Sequence, residues 1–487
     1  MTLSYEADPT ACQGVLGKLA ALGYSETGVA ERLGLADLND LNLKARPIYR
    51  QERLQARDPL DCAIELLLLQ GALRAAEVDR LFQPSDQEQL VKAGVLELRD
   101  GLIQATASLY PVGRNLIFSD HACPQLSLGG DARVPQDGVM YVGTDSRWLA
   151  RATVRTPVAR ALDLCCGSGI QALLAAGHAE QVTAVDLNPR AVRCSAFNAR
   201  AAGLRNLACL QGDLYAPVGD RSFDLITANP PFVPAPAQEV GFRDGGPSGE
   251  DVQRRIVAGL ARHLAPGGMA QIVTEVGERE GEPLETRVRA WLQGAPMDLQ
   301  ILRLRVHPAQ VYALGHADGE DGRTLMVSVG RWAANLKAQG YDRIVSVLLA
   351  FQWSAQPWTR VDEAEPPRRD AGSELASLFQ AERLARDPGL EARLRLGSVA
   401  RSGPVALREA RALGAPQTLA SIQARRLGQA MPIEYFLDPL ERDLLGCLDT
   451  PMPTADLLAL GTQAGLAEAQ VLEALIALLR KGLLHPQ

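Results

Sequence analysis

Four consecutive strand-like segments of this chain end in residues suited to holding a ligand. The apolar residues from Val158 to Leu164 run into Cys-Cys-Gly-Ser-Gly, and Val182-Thr-Ala-Val-Asp186 ends in a carboxylate 19 residues after the first of those glycines. The next two segments end in Gln-Gly-Asp213 and in Asn229-Pro-Pro-Phe232. Carboxyl ends of neighbouring parallel strands meet at one edge of a sheet, so we expect a ligand crevice there.

The spacing of these residues indicates a nucleoside ligand. A glycine turn between a strand and a helix lets the backbone approach a ligand, and the helix start offers unpaired N–H groups. An acidic side chain at the position of Asp186 can accept both hydroxyls of a ribose. Alone, the glycine turn also fits a purely structural role, and Asp213 also fits a turn cap. The series of four strand ends favours the ligand.

The series resembles the class I S-adenosylmethionine-dependent methyltransferases over about Asp137 to Ser354. Asn229-Pro-Pro-Phe232 resembles the NPPF/NPPY motif of their amino-methylating branch, which includes adenine-N6 and small-domain rRNA methyltransferases. Val233-Pro234 and the segment from Arg243 to Gly249 resemble the HemK/PrmC glutamine methyltransferases of the same branch. Cys165 departs from the family pattern, which often has a glycine there.

The resemblance implies S-adenosyl-L-methionine as cofactor and a planar nitrogen as the methyl acceptor. The side-chain oxygen of Asn229 and the carbonyl of Pro230 would accept the two N–H groups of that nitrogen, while Pro231 fixes the turn and Phe232 stacks on the substrate plane. Thr144 and Ser146 are secondary cofactor candidates, or a simple helix cap. The implied cofactor residues are Asp163, Cys165, Gly167, Gly169, Asp186, Leu187, Asp213, Leu214 and Asn229.

The element pattern predicts an α/β fold with a Rossmann-like methyltransferase domain at 121–356. Seven strands, the last one antiparallel, would form its sheet, preceded by a further strand at Val139–Gly143. We expect a helical, winged-helix-like domain at 1–120, a polar linker at 357–375, and an arginine-rich, helix-turn-helix-like domain at 376–487.

The flanking domains have two interpretations each. Helices predicted at 63–69, 75–82 and 86–93, followed by a hairpin with an Asp-Gly turn, are typical of a winged helix. Such a module reads nucleic acid or docks a protein, and the acids of its third helix disfavour insertion into a major groove. The segment from Glu382 to Arg426 contains nine arginines and only four acidic residues. The arginines could contact phosphates or reflect the arginine-rich composition of the chain.

Composition argues against a metal-binding, a secreted or a membrane-spanning protein. The chain has 487 residues, a formal charge of −7, eight cysteines and six histidines. The cysteines and histidines lack metal-ligand spacing, so we expect no metal. The N-terminus lacks the basic and apolar regions of a secretory signal, and we expect a cytoplasmic monomer without a membrane span.

Three functions follow as hypotheses. The leading one is methylation of an exocyclic base amine in RNA or DNA, adenine N6 above all, because the flanking modules and arginines suit nucleic acid. The alternative is methylation of a glutamine side-chain amide in a protein. The third is a binding protein that keeps the cofactor pocket without catalysis, against which the intact Asn229-Pro-Pro-Phe232 argues.

Overall fold

The computed structural model describes residues 3–10, 12–122, 137–237, 239–319, 321–412 and 415–487. The chain divides into two compact units. Unit 1 comprises Met1–Ala150, Thr156–Ile301 and Arg305–Arg360, and unit 2 comprises Arg151–Arg155, Leu302–Leu304 and Val361–Gln487. Cys123 lies outside the described residues, and the other seven cysteines are free thiols.

A mixed sheet carries the predicted ligand crevice in unit 1. Seven of the eleven strands in this sheet lie next to one another in the order β6-β7-β5-β4-β1-β2-β3 when numbered along the chain. They are β1 Val158–Leu164, β2 Ala179–Asp186, β3 Leu207–Gln211, β4 Phe223–Ala228, β5 Leu264–Glu278, β6 Met297–Pro308 and β7 Arg343–Trp353.

The sheet order creates a switch point between β1 and β4. Strands β1 to β5 are all parallel to one another. Strands β2 and β3 lie on one side of β1, and β4 and β5 lie on its other side. Ligands bind outside the carboxyl ends of strands at such a switch. The antiparallel pairing of β7 with β5 confirms the predicted direction of the last strand. The domain limits at 121–356, and with them the strand count, stay predictions.

Helices connect these strands and cover the sheet. Asn188 caps the helix Pro189–Ala201 by accepting from Arg190 N–H, and Pro189 occupies the first turn of that helix. The helices of this region are Thr144–Ala152, Ile170–Ala175, Pro189–Ala201, a 3₁₀ turn at Ala216–Val218, Asp251–His263, Leu284–Trp291, Ala309–His316 and Gly322–Ala338.

The predicted strand at Val139–Gly143 is wrong. These residues form an extended loop, which the helix Thr144–Ala152 follows. The apolar run resembles a strand because Val139 and Val142 are buried. Met140 and Tyr141, however, line cavities, and Val139 N–H donates to Asp120 Oδ2 at 2.9 Å instead of to a strand.

The first 120 residues contain the predicted helices and hairpin. The helices are Cys12–Ala21, Glu26–Leu33, Arg46–Ile48, Pro59–Ala63, Ala75–Leu81 and Pro84–Lys92, with 3₁₀ turns at Leu38–Asp40 and Leu43–Ala45 and π-helical turns at Tyr49–Arg53 and Ile64–Leu68. The strands are Ala72–Leu73, Leu96–Arg99, Leu102–Ala105, Ser108–Val112 and Asn115–Ser119. In the third predicted helix, Asp86 forms an ion pair with Lys18 at 2.7 Å, so this acid has a structural partner.

Unit 2 contains short helices and antiparallel strands. Asp438 caps the helix Pro439–Cys447 by accepting from Glu441 N–H, as its sequence predicts. The other helices are Gly372–Ala385, Leu390–Leu396, Thr454–Gln463 and Glu468–Arg480, and the strands are Thr359–Ala364, Ser398–Arg401, Val405–Ala412, Ala415–Arg426, Ile433–Leu437, Met452–Pro453 and Leu484–Pro486. The segment 357–375 thus contains a strand and the start of a helix.

Carboxylates neutralise much of the arginine-rich segment in unit 2. At least five of its nine arginines form ion pairs: Arg386 with Glu382, Arg393 with Asp387, Arg395 with Glu391 and Glu468, Arg401 with Asp449, and Arg425 with Glu365. An arginine held by a carboxylate offers less charge to a phosphate backbone.

No helix among the described residues is long and apolar enough to cross a membrane.

Candidate active site

Two cavities meet at Asn229, which follows β4. The first cavity, of about 520 Å³, lies at the ends of β1 to β4 and against residues 137–141. The second cavity, of about 580 Å³, is bounded by residues 38–44, the start of the helix Thr144–Ala152, and β5 to β7. The side chains that line both cavities are Met140, Tyr141, Asn229 and Phe242.

The structure brings nearly all predicted site residues to these walls. Pro230 and Phe232 line the second cavity with Asn229. Thr144 also lines the second cavity, and Ser146 lines the first. Gly169 lies outside both walls. The predicted residues of the first cavity are Asp163, Cys165, Gly167, Asp186, Leu187, Asp213, Leu214, Asn229 and Pro231.

The turn after β1 takes a path that normally requires glycine. Cys165 has φ +56° and Gly167 has φ +54°, so a non-glycine residue occupies the left-handed region at the cavity wall. The cysteine therefore keeps the backbone course of the glycine that it replaces, at a cost in local strain. Gly169 also has a left-handed backbone, with φ +83°, and in addition a Cβ atom there would overlap Ser195 Oγ.

Asp163 is a buried carboxylate between β1 and the following helix. Its two oxygens accept from Ala172 N–H at 3.1 Å and from Thr227 Oγ1 at 3.0 Å. Burial, with a smaller contribution from the negative charge of Asp186, raises its pKa to about 7. A cationic ligand group beside this carboxyl would therefore stabilise its ionised form.

Asp186 closes the turn from the other side. One of its oxygens accepts from Gly167 N–H at 2.9 Å and the other from Asn188 N–H at 2.9 Å. Burial raises its pKa. A carboxylate has about four acceptor sites, more than these backbone N–H groups use, which leaves capacity for a ligand hydroxyl. Beside it, the Leu187 side chain is 68% exposed. A flat apolar group of a ligand could pack against it.

Asp213 lies after β3 and is held by a residue that the sequence did not indicate. Its Oδ2 pairs with Arg255 Nη2 at 2.6 Å, and its side chain is 49% exposed. Arg255 also lines the first cavity. Leu214, the next residue, is buried and has φ +50°. A role of Asp213 in cofactor binding must therefore compete with this ion pair.

The orientation of the Asn229 amide is set by its neighbours. Its Nδ2 donates to Asp145 Oδ2 at 2.9 Å and to Ser146 Oγ at 3.0 Å. Burial raises the pKa of Asp145, and the hydrogen bond from Asn229 opposes that rise. With both N–H groups held, the amide oxygen is the end that remains for a ligand.

A glycine-rich segment supports the Asn229-Pro-Pro-Phe232 turn from behind. Val233 N–H donates to Arg243 O at 3.0 Å, and Gly245 N–H donates to Val233 O at 2.9 Å. A Cβ atom on Gly245 would lie 2.8 Å from Pro231 O, and one on Gly249 would overlap Phe232 O. The two glycines thus allow main chain to pack directly on the turn.

A second buried carboxylate lies in the wall of the second cavity. Glu275 accepts from Tyr312 Oη at 2.5 Å and from Ser346 Oγ at 3.1 Å. Burial raises its pKa to about 7. Tyr312 stacks on His316 with ring centroids 4.1 Å apart, and burial lowers the pKa of His316 to about 4. The cavity wall therefore holds a neutral imidazole.

Sequence reasoning missed Asp145 and Glu275 as parts of the site. Asp145 lay between two residues singled out as a helix cap, but its contact with Asn229 joins positions 84 residues apart. Glu275 had a visible signal, since it is a carboxylate inside the otherwise apolar strand β5. Within the described parts of the chain, no three histidine, cysteine, aspartate or glutamate side chains are grouped to hold a metal ion.

Comparison with known proteins agrees with this geometry. Residues 142–291 match the model of the methyltransferase small domain. The ribosomal protein uL3 glutamine methyltransferase of Bradyrhizobium diazoefficiens is 41% identical over 136 residues, which are 25% of this chain and 42% of that protein. The release factor glutamine methyltransferase of Moorella thermoacetica is 34% identical over 152 residues, 28% of this chain and 52% of that protein.

A longer match decides the family. The release factor glutamine methyltransferase of Cereibacter sphaeroides is 34% identical over 205 residues, 39% of this chain and 70% of that protein. The chain belongs to the class I S-adenosylmethionine-dependent methyltransferases of the amino-methylating branch. It spans about half the length of the first curated relatives that it matches.

The residues of the first cavity fit the methyl donor of this methyltransferase family, S-adenosylmethionine. The sulfonium and ammonium groups of that molecule are cationic, and Asp163 supplies a buried carboxyl with a raised pKa. Asp186 keeps lone pairs for ribose hydroxyls, and the exposed face of Leu187 suits an adenine ring. Cavities of about 300–1,000 Å³ hold ligands of this size.

Proposed function

We propose that this methyltransferase transfers a methyl group to the side-chain amide nitrogen of a glutamine in a protein. The observation that carries the proposal is the fixed orientation of the Asn229 amide, whose oxygen is left for the N–H groups of a planar nitrogen. The similarity to proteins named glutamine methyltransferases supports an amide as the acceptor.

The proposed mechanism uses acceptors rather than a base. An amide nitrogen is a poor nucleophile because its lone pair is delocalised into the carbonyl. Asn229 Oδ1 and the carbonyl of Pro230 would accept its two N–H groups and favour a tetrahedral nitrogen. They would also stabilise the positive charge that develops on nitrogen as the N–C bond forms and the bond between methyl and sulfur breaks, which is binding selective for the transition state. S-adenosylhomocysteine would be the leaving group, and the methylated nitrogen would lose one proton to solvent. Phe232 would stack on the amide plane.

The cofactor residues keep their proposed roles. S-adenosylmethionine supplies an electrophilic methyl group on its sulfonium. Asp163 and Asp186 would bind its ammonium and ribose, with Cys165, Gly167 and Leu214 shaping the wall and Leu187 against the adenine. The second cavity would hold the glutamine side chain, since it meets the first beside Asn229.

Two features support a protein substrate over a nucleic acid. The carboxylate partners of the arginine-rich segment reduce its attraction for phosphates. The helix Pro84–Lys92 also carries an exposed carboxylate, Glu88, which would repel a phosphate backbone. We therefore propose that the winged-helix-like modules predicted at 1–120 and at 376–487 are protein-docking modules rather than nucleic-acid-binding modules.

Label transfer tests this function. The full-length enzyme is incubated with tritium-labelled S-adenosylmethionine and fractionated cell extract, and the fractions are treated with nuclease or protease. The proposal expects protein-bound label that only protease removes and that Asn229→Ala reduces about tenfold to a hundredfold, the loss of a hydrogen bond of roughly 1.5–3 kcal/mol. Label released by nuclease would overturn it in favour of base methylation.

A further inference from the structure

Two buried polar atoms in the wall of the second cavity lack hydrogen-bond partners among the described residues. They are Tyr110 Oη and Asn39 Oδ1. Both residues line the second cavity, and both come from the first 120 residues. Tyr110 lies on the strand Ser108–Val112 and is only 2% exposed, and Asn39 lies in the 3₁₀ turn Leu38–Asp40.

The surroundings of Tyr110 leave its hydroxyl available as a donor. Burial raises its pKa, so the hydroxyl keeps its proton, although a polar contact of the Ser108 side chain with the Tyr110 oxygen opposes the rise. Ser108 Oγ is itself bonded to His121 Nδ1 at 2.9 Å. The guanidinium of Arg147 lies over the Tyr110 ring, 6.0 Å from its centroid, and contacts the ring rather than the hydroxyl.

Asn39 is likewise held by its backbone rather than by its side chain. Its main-chain N–H donates to Asp37 Oδ1 at 2.8 Å, which caps the short turn. A buried donor or acceptor without a hydrogen-bond partner costs about 1–3 kcal/mol of folding free energy. Two such groups in one cavity wall are expected where a ligand supplies the missing hydrogen bonds.

The chemistry of the pair indicates what that ligand offers. Tyr110 supplies an O–H donor and Asn39 an amide-oxygen acceptor. A peptide group supplies the reverse pair, a carbonyl oxygen and an N–H. The catalytic end of the cavity, at Asn229, is suited to the side-chain amide instead.

We propose that the N-terminal wall of the second cavity binds substrate main chain: Tyr110 donates to a peptide carbonyl and Asn39 accepts from a peptide N–H beside the target glutamine. This inference rests on the proposed function and deepens it. The enzyme then recognises glutamine within a polypeptide rather than an amide alone.

Two small probes separate main-chain binding from amide binding. N-acetylglutamine N-methylamide carries the side-chain amide and two peptide groups, whereas butanamide carries only an amide. Their dissociation constants are measured with the full chain saturated with S-adenosylhomocysteine. Tyr110→Phe and Asn39→Ala should each weaken the capped glutamine about three- to tenfold, the loss of one hydrogen bond, and leave butanamide unchanged.

Tyr24→Phe is the matched control. Tyr24 is also buried, but its hydroxyl donates to Leu109 O at 2.7 Å and lies outside the cavity wall. Tyr24→Phe should lower the unfolding temperature and leave both dissociation constants unchanged. Tyr110→Phe should leave the unfolding temperature unchanged or raise it, since it removes an unpaired buried hydroxyl.

The outcomes separate the two proposals. If Asn229→Ala weakens both probes but Tyr110→Phe and Asn39→Ala weaken neither, main-chain binding is overturned and the proposed function stands. If Tyr110→Phe weakens both probes equally, the tyrosine binds the amide and the inference is wrong. If Asn229→Ala changes neither probe, or the wild type binds neither, the proposed function falls as well.

Discussion

Asp145 decides which end of the Asn229 amide faces the ligand. A carboxylate can only accept, so it selects the N–H end of the amide and turns the oxygen toward the cavities. Replacing Asp145 with asparagine removes that selection, because an asparagine can also donate. The position of Asn229 after β4 thus explains where the acceptor is, and Asp145 explains how it is oriented.

We expect Asp145→Asn to lower kcat about tenfold to a hundredfold, since a hydrogen bond to a charged group is worth roughly 1.5–3 kcal/mol. Ser146→Ala is the control, because it removes a neutral bond of 3.0 Å to the same nitrogen. Its loss should be about two- to tenfold. Methyl-transfer kinetics measure both, and an equal or larger loss in Ser146→Ala would contradict the selecting role of Asp145.

The two carboxylates of the first cavity should differ in their effect on cofactor affinity. Asp186 is buried and braced by two backbone N–H groups, whereas Asp213 is half-exposed and paired with Arg255. Asp186→Ala should weaken S-adenosylmethionine binding at least about tenfold, in line with losing charge-assisted hydrogen bonds. Asp213→Ala should weaken it less. Calorimetry measures both constants, and the reverse ranking would reject the ribose assignment of Asp186.

Glu275 should make stability fall as pH rises. Its pKa is about 7 in the folded protein and near 4.5 when exposed. Between these values the folded state binds more protons than the unfolded state, so raising the pH favours unfolding. We expect the free energy of unfolding of the wild type, relative to Glu275→Gln, to decrease from pH 4.5 to 7. Urea titrations along that range measure the difference.

Tyr312→Phe provides a second check on the same carboxyl. The Tyr312 hydroxyl donates to Glu275 and lowers its pKa. Without it, the pH window of the stability loss should move upward. A difference between wild type and Glu275→Gln that is independent of pH would show that burial leaves this carboxyl unperturbed.

At the residue scale, the sequence predicted the ligand groups better than their supports. Asp186 and Asn229 were predictable because each directly follows or ends an apolar strand. The partners Asp145 and Arg255 were not, because their contacts join elements that are distant along the chain. Such contacts depend on how strands and helices assemble rather than on local spacing.

At the scale of elements, the turn Asn229-Pro-Pro-Phe232 and the segment 243–249 act as one unit. The glycines of the second segment are required because its main chain touches the carbonyls of the first. Both segments were visible in the sequence, because both resemble motifs of the amino-methylating branch of methyltransferases. Their mutual packing, and so the reason for the glycines, came only with the fold.

Gly249→Ala should displace this turn. Gly249 has φ +75°, and a Cβ atom there would also overlap Phe232 O. Gly281→Ala is the matched control, because Gly281 has φ +74° and open space around its Cβ direction. Both variants carry the backbone strain of an alanine in the left-handed region, roughly 1–2 kcal/mol. Gly249→Ala alone should also lower the methyl-transfer rate, by about tenfold or more, because it would misplace the hydrogen-bond acceptors of the turn.

Unfolding curves and methyl-transfer rates together test this comparison. Equal stability losses and equal activity in the two glycine variants would contradict the packing of residues 243–249 on the turn.

Strand prediction succeeded where burial on both faces left an apolar signature, as in β2, β4 and β7. It failed at Val139–Gly143, where the same signature comes from a loop that packs on one side and lines cavities on the other. An apolar run records burial, and it does not record whether a neighbouring strand or a ligand provides the contact.

At the scale of the whole molecule, charge argues for a protein partner. The net charge of −7 disfavours general binding to a phosphate backbone, and carboxylates pair with arginines of the arginine-rich segment, among them Arg386, Arg401 and Arg425. The sequence showed the arginines but not their partners, so a nucleic-acid substrate was the leading prediction. The relatives named glutamine methyltransferases favour the alternative instead.

The position of the methyl group in the product tests the central claim most directly. The labelled acceptor protein is isolated, digested and sequenced by fragmentation mass spectrometry after reaction with the wild type and with Asn229→Ala. Our account predicts one methyl group on the side-chain nitrogen of a glutamine, absent with the variant. A methyl group on a nucleobase, or on a different protein side chain, would contradict it.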